Sequence, residues 1–171
     1  MFVLAVLAIL AGMAIPQTMA TIERSRTLGA ARYLATRLAM ARTQAVAHSA
    51  NVALMFVADG DTYTVAAYSD GNRNGVRTRD IATGVDPVVE EPVRFSDLFP
   101  RVSLFLSDPA AAHAPDASVL MSFSPIGTAS SRTLYVRGGD HSQYAVRVLG
   151  ATGRTRLLRY IDATRQWVEV L

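Results

Sequence analysis

The chain has no cysteine. That excludes a disulfide scaffold, a cysteine nucleophile and any thiolate metal site. It leaves the compartment open, because a cysteine-free domain is safe in oxidising and reducing surroundings alike. Lysine is missing too: all seventeen basic residues are arginine, which a genome rich in Arg codons explains more simply than any function. Fourteen acidic residues leave a net charge of +3, with a pI near 9.7. So small a surplus is a weak pointer to nucleic acid, and the charges form no acidic or basic tail. There is no phosphate-cradling Walker loop, no Gly-x-Gly-x-x-Gly and no Gly-x-Ser-x-Gly elbow. His48, His113 and His141 are too far apart for metal-ligand spacing, and read as a helix-end residue and two loop residues. No repeat and no low-complexity tract is present. These absences argue against an enzyme and against nucleotide binding, with no catalytic residue to nominate.

What is there is apolar, and it is concentrated at one end. The 171 residues are 50% hydrophobic with a mean hydropathy of +0.22, enough for one domain and an appendage. Residues 1–15 read MFVLAVLAILAGMAI, Pro16 follows, and no charge appears before Glu23. The segment lacks the basic start and small-residue cleavage site of a signal peptide. It is apolar on every face, which suits lipid or a tight helical bundle rather than the flank of one small domain. Fifteen helical residues cover about 22 Å, short of a hydrocarbon core of about 30 Å.

Past Pro16 the pattern becomes amphipathic. Leu28, Ala31, Ala35, Leu38, Ala41 and Ala45 recur at three- and four-residue steps, while Arg24, Arg26, Arg32, Arg37 and Arg42 mostly lie off that stripe. The spacing predicts a helix over about 2–49, kinked or locally melted between Gly12 and Pro16. Two strands, Val52–Val57 and Thr62–Tyr68, are expected around the Asp59-Gly60-Asp61 turn. A loop is expected at Asp70–Gly75, then a polar stretch with Pro87, Glu90, Glu91 and Pro92, and a helical turn at Phe95–Phe99. Further strands are expected at Val102–Leu106, Val119–Phe123, Thr133–Arg137, Tyr144–Leu149, Arg156–Ile161 and Trp167–Val170, with Trp167 anchoring the last strand in the core. The fold class is α+β: a long N-terminal helix on an antiparallel sheet or sandwich head. Its parts would be an apolar transmembrane or assembly half (1–22), an amphipathic half (23–51) and a β-rich head (52–171).

Two short motifs invite chemistry. Asp70-x-Asn72-x-Asn74-Gly75 imitates the opening of a calcium loop, with oxygens at alternate positions and glycine at the sixth. Its twelfth position holds Ile81 where a bidentate acid is required, Asp80 falls one residue early, and Arg73, Arg77 and Arg79 oppose a cation. The plainer reading is a turn made of good turn formers. No cofactor is therefore expected, with Asp70, Asn72, Asn74 and Asp80 as a weak Ca²⁺ candidate. Gly153-Arg154-Thr155-Arg156, with Arg159 and Arg165 nearby, is a basic cluster able to grip phosphates, although Asp162 and Glu169 dilute it. The plainer reading is a turn and a solvated strand edge.

The order of these features resembles the type IV pilin superfamily, specifically its GspH/FimT branch of minor pseudopilins. The resemblance rests on FVLAVLAILAGMAIP, the helix ARYLATRLAMARTQAVAHSANVAL, the DGDTYTV hairpin, the FSPIGT turn and the late GRTR. Family precursors carry a short basic leader, a Gly before the cleavage site and an early acidic residue, none of which stands here. Aligned on Pro16, Met1 falls a few residues inside the mature apolar segment, as if the start were an internal Met. The resemblance implies a subunit that spans the bacterial inner membrane once with its head in the periplasm. It would assemble with other pseudopilins or pilins, and meet prepilin peptidase if its precursor has a leader. Phe2, Val3, Leu4, Val6, Leu7, Ile9, Leu10, Met13, Ile15 and Pro16 would face lipid or neighbouring helices. Ala5, Ala8, Ala11, Gly12 and Ala14 would allow close helix contact. The implied role is structural, in a type II secretion pseudopilus or a type IV pilus supporting export. The alternative is a FimT-like minor pilin that binds DNA during uptake through Arg154, Arg156 and Arg159.

Overall fold

The structure, a computed structural model, describes residues 2–109 and 117–170, with residues 2–20 described as backbone alone. Helix α1 runs Phe2–His48 without a break. The local melting expected between Gly12 and Pro16 is therefore corrected: Pro16 removes one N–H from the ladder, and strong helix formers on both sides carry the helix through. The chain then builds an antiparallel hairpin, β1 (Val52–Asp59) and β2 (Thr62–Ser69). Short helix α2 (Thr78–Ala82), β3 (Val88–Arg94), α3 (Phe95–Leu98) and β4 (Val102–Phe105) follow. The last five strands are β5 (Ser118–Phe123), β6 (Arg132–Gly138), β7 (Gln143–Leu149), β8 (Arg154–Ile161) and β9 (Gln166–Glu169).

The strands form two antiparallel sheets, ordered β3-β2-β1-β5 and β4-β6-β7-β8-β9. The second half of α1 lies against both, touching β6, β7 and β8 of one and β1 and β5 of the other. Its buried face is Thr27, Ala30, Ala31, Leu34, Leu38, Ala41 and Ala45. Leu28 and Ala35, expected on the stripe, are half-buried at its flanks. A helix wedged between two sheets buries a wider arc than one sheet demands. Alanines let it come close, and Leu34 and Leu38 fill the core with Phe56, Phe95, Phe123, Leu134 and Val146.

Two elements were not expected from the sequence. β3 contains Pro92 and two glutamates, which read as loop; as an edge strand it tolerates a missing N–H on its free side. Its register against β2 shifts between Val65 and Tyr68, consistent with the irregular sequence. α2 is a five-residue turn too short to show a period. Trp167 is also corrected. Strand pairing sets it beside Tyr160, on the face of its sheet away from α1, where it packs edge-on to Tyr135 at 5.7 Å and tilted on Tyr160 at 5.2 Å. It fastens β9 to an outer aromatic cluster rather than to the core.

Candidate functional site

The assembly candidates Phe2, Val3, Leu4, Val6, Leu7, Ile9, Leu10, Met13, Ile15 and Pro16 belong to the α1 backbone; their side chains lie outside the described residues, as does His113. Among the described residues no helix is long and apolar enough to cross a membrane. The first residues with described side chains, Thr21 and Ile22, are exposed, and Ile22 is 47% accessible. His48 is exposed at the helix end, and His141 sits in the β6–β7 turn with φ +63°.

The Asp70 loop is a closed hydrogen-bonded knot. Asp70 is 7% exposed. Its carboxylate accepts the backbone N–H of Asn72 (3.3 Å), Asn74 (3.2 Å) and Gly75 (2.7 Å) and the Asn51 side-chain amide (2.8 Å). Burial pushes its pKa up, but the hydrogen bonds from Asn51, Gly75, Arg73 and Asn72 outweigh burial and hold it below its ordinary 3.8. Buried Asp86 accepts the N–H of Gly71 (3.1 Å) and Arg77 (3.0 Å). The Asn72 and Asn74 amides donate to Asp80, at 3.4 and 3.1 Å. The structure thus brings all four calcium candidates together, with the Asp70 and Asp80 carboxylates and the Asn72 side-chain oxygen accepting N–H donors from the loop and from Asn51. Among the described residues no group of three or more His, Cys, Asp or Glu is arranged to hold a metal.

The arginine cluster is divided. Arg154 and Arg156 stand on one face of β8, exposed, and strand alternation turns Arg159 to the other face, opposite buried Tyr144. Arg156 pairs with Glu169 at 3.5 Å. A residue not singled out in the sequence joins the outer face: Arg147 of β7 lies directly across from Arg156. Like charges at opposed positions repel, and the exposed setting lets water screen them. Arg165 lies in the β8–β9 turn with φ +52°.

Of the helix arginines that lie off the apolar stripe, two are fasteners. Arg37 is ion-paired with Glu90 of β3 and donates to the Tyr33 hydroxyl at 3.1 Å. Arg42 shares its Nε–H between two backbone carbonyls, Gly127 at 3.4 Å and Thr152 at 3.0 Å. Glu23, on the same helix, bonds Arg101 at 3.1 Å and Arg26 at 3.3 Å. Only the two glycine-containing turns, FSPIGT and GRTR, could have signalled the Arg42 contact, and neither names its partner.

Residues 30–153 match the family described as type II transport protein GspH. The chain belongs to the GspH family. The match spans the buried helix face from Ala30 onward, Arg42, the Asp70 loop, the FSPIGT turn and Gly153. It ends at Gly153, one residue short of Arg154, so none of the three DNA candidates lies within it. Among solved structures, this GspH-family chain is similar to the minor pseudopilin EpsH from the type 2 secretion system of Vibrio cholerae. The identity is 15% and the TM-score 0.49, over 75% of this chain and 93% of that one. No curated protein matches the chain.

Proposed function

We propose that this GspH-family protein is a minor pseudopilin, a structural subunit of a type II secretion pseudopilus with no catalytic duty. Its helix would anchor it once in the inner membrane, with the head in the periplasm, and join it to other pseudopilins. The observation that carries this is one unbroken helix shared by two environments. The head buries α1 only from Thr27 onward, whereas residues 1–15 are apolar throughout and no charge precedes Glu23, a surface that suits lipid or neighbouring helices rather than the flank of one small domain. Such a helix can exchange lipid for neighbouring helices without a change of fold.

The absence of cysteine makes the test clean. A single cysteine placed at Ala8 or Ala11 of the full chain, with a second cysteine in the matching helix segment of another pseudopilin and copper phenanthroline as oxidant, should form a disulfide between the two in membranes of a secreting cell, and loss of the chain should block export. Recovery in the soluble fraction with no cross-linked partner would refute the proposal.

A second reading, a FimT-like subunit that binds DNA, has one observation of its own: Arg147, Arg154 and Arg156 share an exposed sheet face. It predicts salt-sensitive retardation of duplex DNA that disappears in Arg154→Ala/Arg156→Ala. Undiminished binding by the double variant would remove this reading.

A further inference from the structure

We infer that Arg42 is a positioning residue: beside the Arg37–Glu90 and Glu23–Arg101 pairs, it is the joint that fixes the angle of the assembly helix at the seam between the sheets, and Gly127 and Gly153 are its seat. Three parts of the molecule meet at its guanidinium. The first is α1. The second is the Ser124–Thr128 turn, where the chain leaves β5 of one sheet for β6 of the other, closed by Gly127 N–H to the Ser124 carbonyl at 2.9 Å. The third is the β7–β8 turn, closed by Gly153 N–H to the Leu149 carbonyl at 2.7 Å. The two turns are also tied to each other, Ala129 N–H donating to the Gly150 carbonyl at 2.8 Å and Gly150 N–H to the Ser131 hydroxyl at 2.9 Å.

The seat is shaped for this one side chain. A Cβ on Gly153 would stand 2.9 Å from Arg42 Cδ and 2.5 Å from the Gly127 carbonyl oxygen, and a Cβ on Gly127 would stand 3.2 Å from Arg42 Nη2. Both glycines also adopt left-handed φ, +59° and +83°, where a side chain is strained. So the glycine of the GRTR stretch serves the helix, independently of what Arg154 and Arg156 do on the outer face. The core contacts of α1 are alanine methyls together with Thr27, Leu34 and Leu38, and apolar burial is not directional. A shared N–H to carbonyls of two different turns is directional and selects one register. The joint does not depend on the filament reading. Its consequence does: a pull on the helix would be carried into the seam between the sheets rather than into either sheet alone.

Exposed Val46, one helical turn beyond Arg42, and Ile126, 86% exposed beside Gly127, allow a direct measurement. Spin labels on Val46→Cys/Ile126→Cys in the full chain, in detergent micelles, report the helix-to-turn distance by double electron–electron resonance. The parent should give one narrow distance, and Arg42→Ala should broaden it and shift its mean. Arg42→Lys, which keeps the charge and lacks the Nε–H, should also broaden it, and it decides the matter if the alanine variant does not fold. Arg32→Ala, an exposed change on the same helix, should leave the distance narrow. An unchanged narrow distance in folded Arg42→Ala, or in Arg42→Lys, would overturn the assignment, as would equal broadening by Arg32→Ala.

Discussion

The head is closed at two places by opposite chemistry. At the Asp70 loop a buried carboxylate collects backbone N–H groups from residues two to five positions along the chain. At the sheet seam a guanidinium donates to backbone carbonyls 85 and 110 residues away. Each solves the same problem, that backbone groups in a turn cannot all pair with one another. The difference lies in reach. The loop is a mainly local device, tied outward to Asn51 and Asp86. The seam exists only once helix and both sheets are in place, so it is suited to reporting and enforcing their mutual position.

Each closure can be broken through its glycine. The largest effect is expected for Gly71→Ala, because the new Cβ would collide with the Val85 carbonyl, where backbone must move. About 3 kcal/mol of stability should be lost, seen as a lower midpoint in chemical denaturation. Gly153→Ala should cost about 2 kcal/mol from left-handed strain and crowding of Arg42. In the spin-label experiment it should also loosen the helix, which Gly71→Ala should not. If both variants moved the helix equally, the contrast between local and long-range closure would fail.

Asp70→Asn should cost about 2 kcal/mol at neutral pH, since an amide cannot accept from every N–H that the carboxylate collects. The pH dependence has a definite sign. The folded pKa lies below the unfolded value, so Asp70 stabilises the protein above the unfolded pKa, and that contribution is lost as pH falls through the folded pKa. Asp70→Asn should therefore flatten the acid limb of a stability-against-pH curve; an unaltered limb would show that other carboxylates govern it. The smallest effect is expected for Glu90→Gln, about 1 kcal/mol, through the half-buried pair with Arg37. Faster amide exchange in β3 and none in β6 would check that this pair holds the edge strand alone.

Legibility in the sequence followed the same division. The helix, the hairpin and most later strands could be read because period and turn residues are local signals. The four residues of the Asp70 loop were found together for that reason, although their hydrogen bonding was not. β3 was missed because its stability comes from β2 on one side and Arg37 beneath, neither of them visible in VVEEPVR. Arg159 was grouped with Arg154 and Arg156 by proximity in sequence, and an odd step along a strand put it on the other face. Arg37 and Arg42 could be placed off the apolar stripe but given no role, because their partners are a strand that does not read as one and two turns far along the chain.

By itself, then, the sequence determined a long helix, uncharged before Glu23, joined to an antiparallel β head, since hydrophobic periodicity, turn chemistry and chain order are properties of neighbouring residues. Only the tertiary structure decided that the strands divide into two sheets around the helix, that Trp167 faces outward, and that Arg42 closes the seam on Gly127 and Gly153. Those outcomes depend on which distant backbone groups are left unpaired after the core has packed, and no local pattern encodes that.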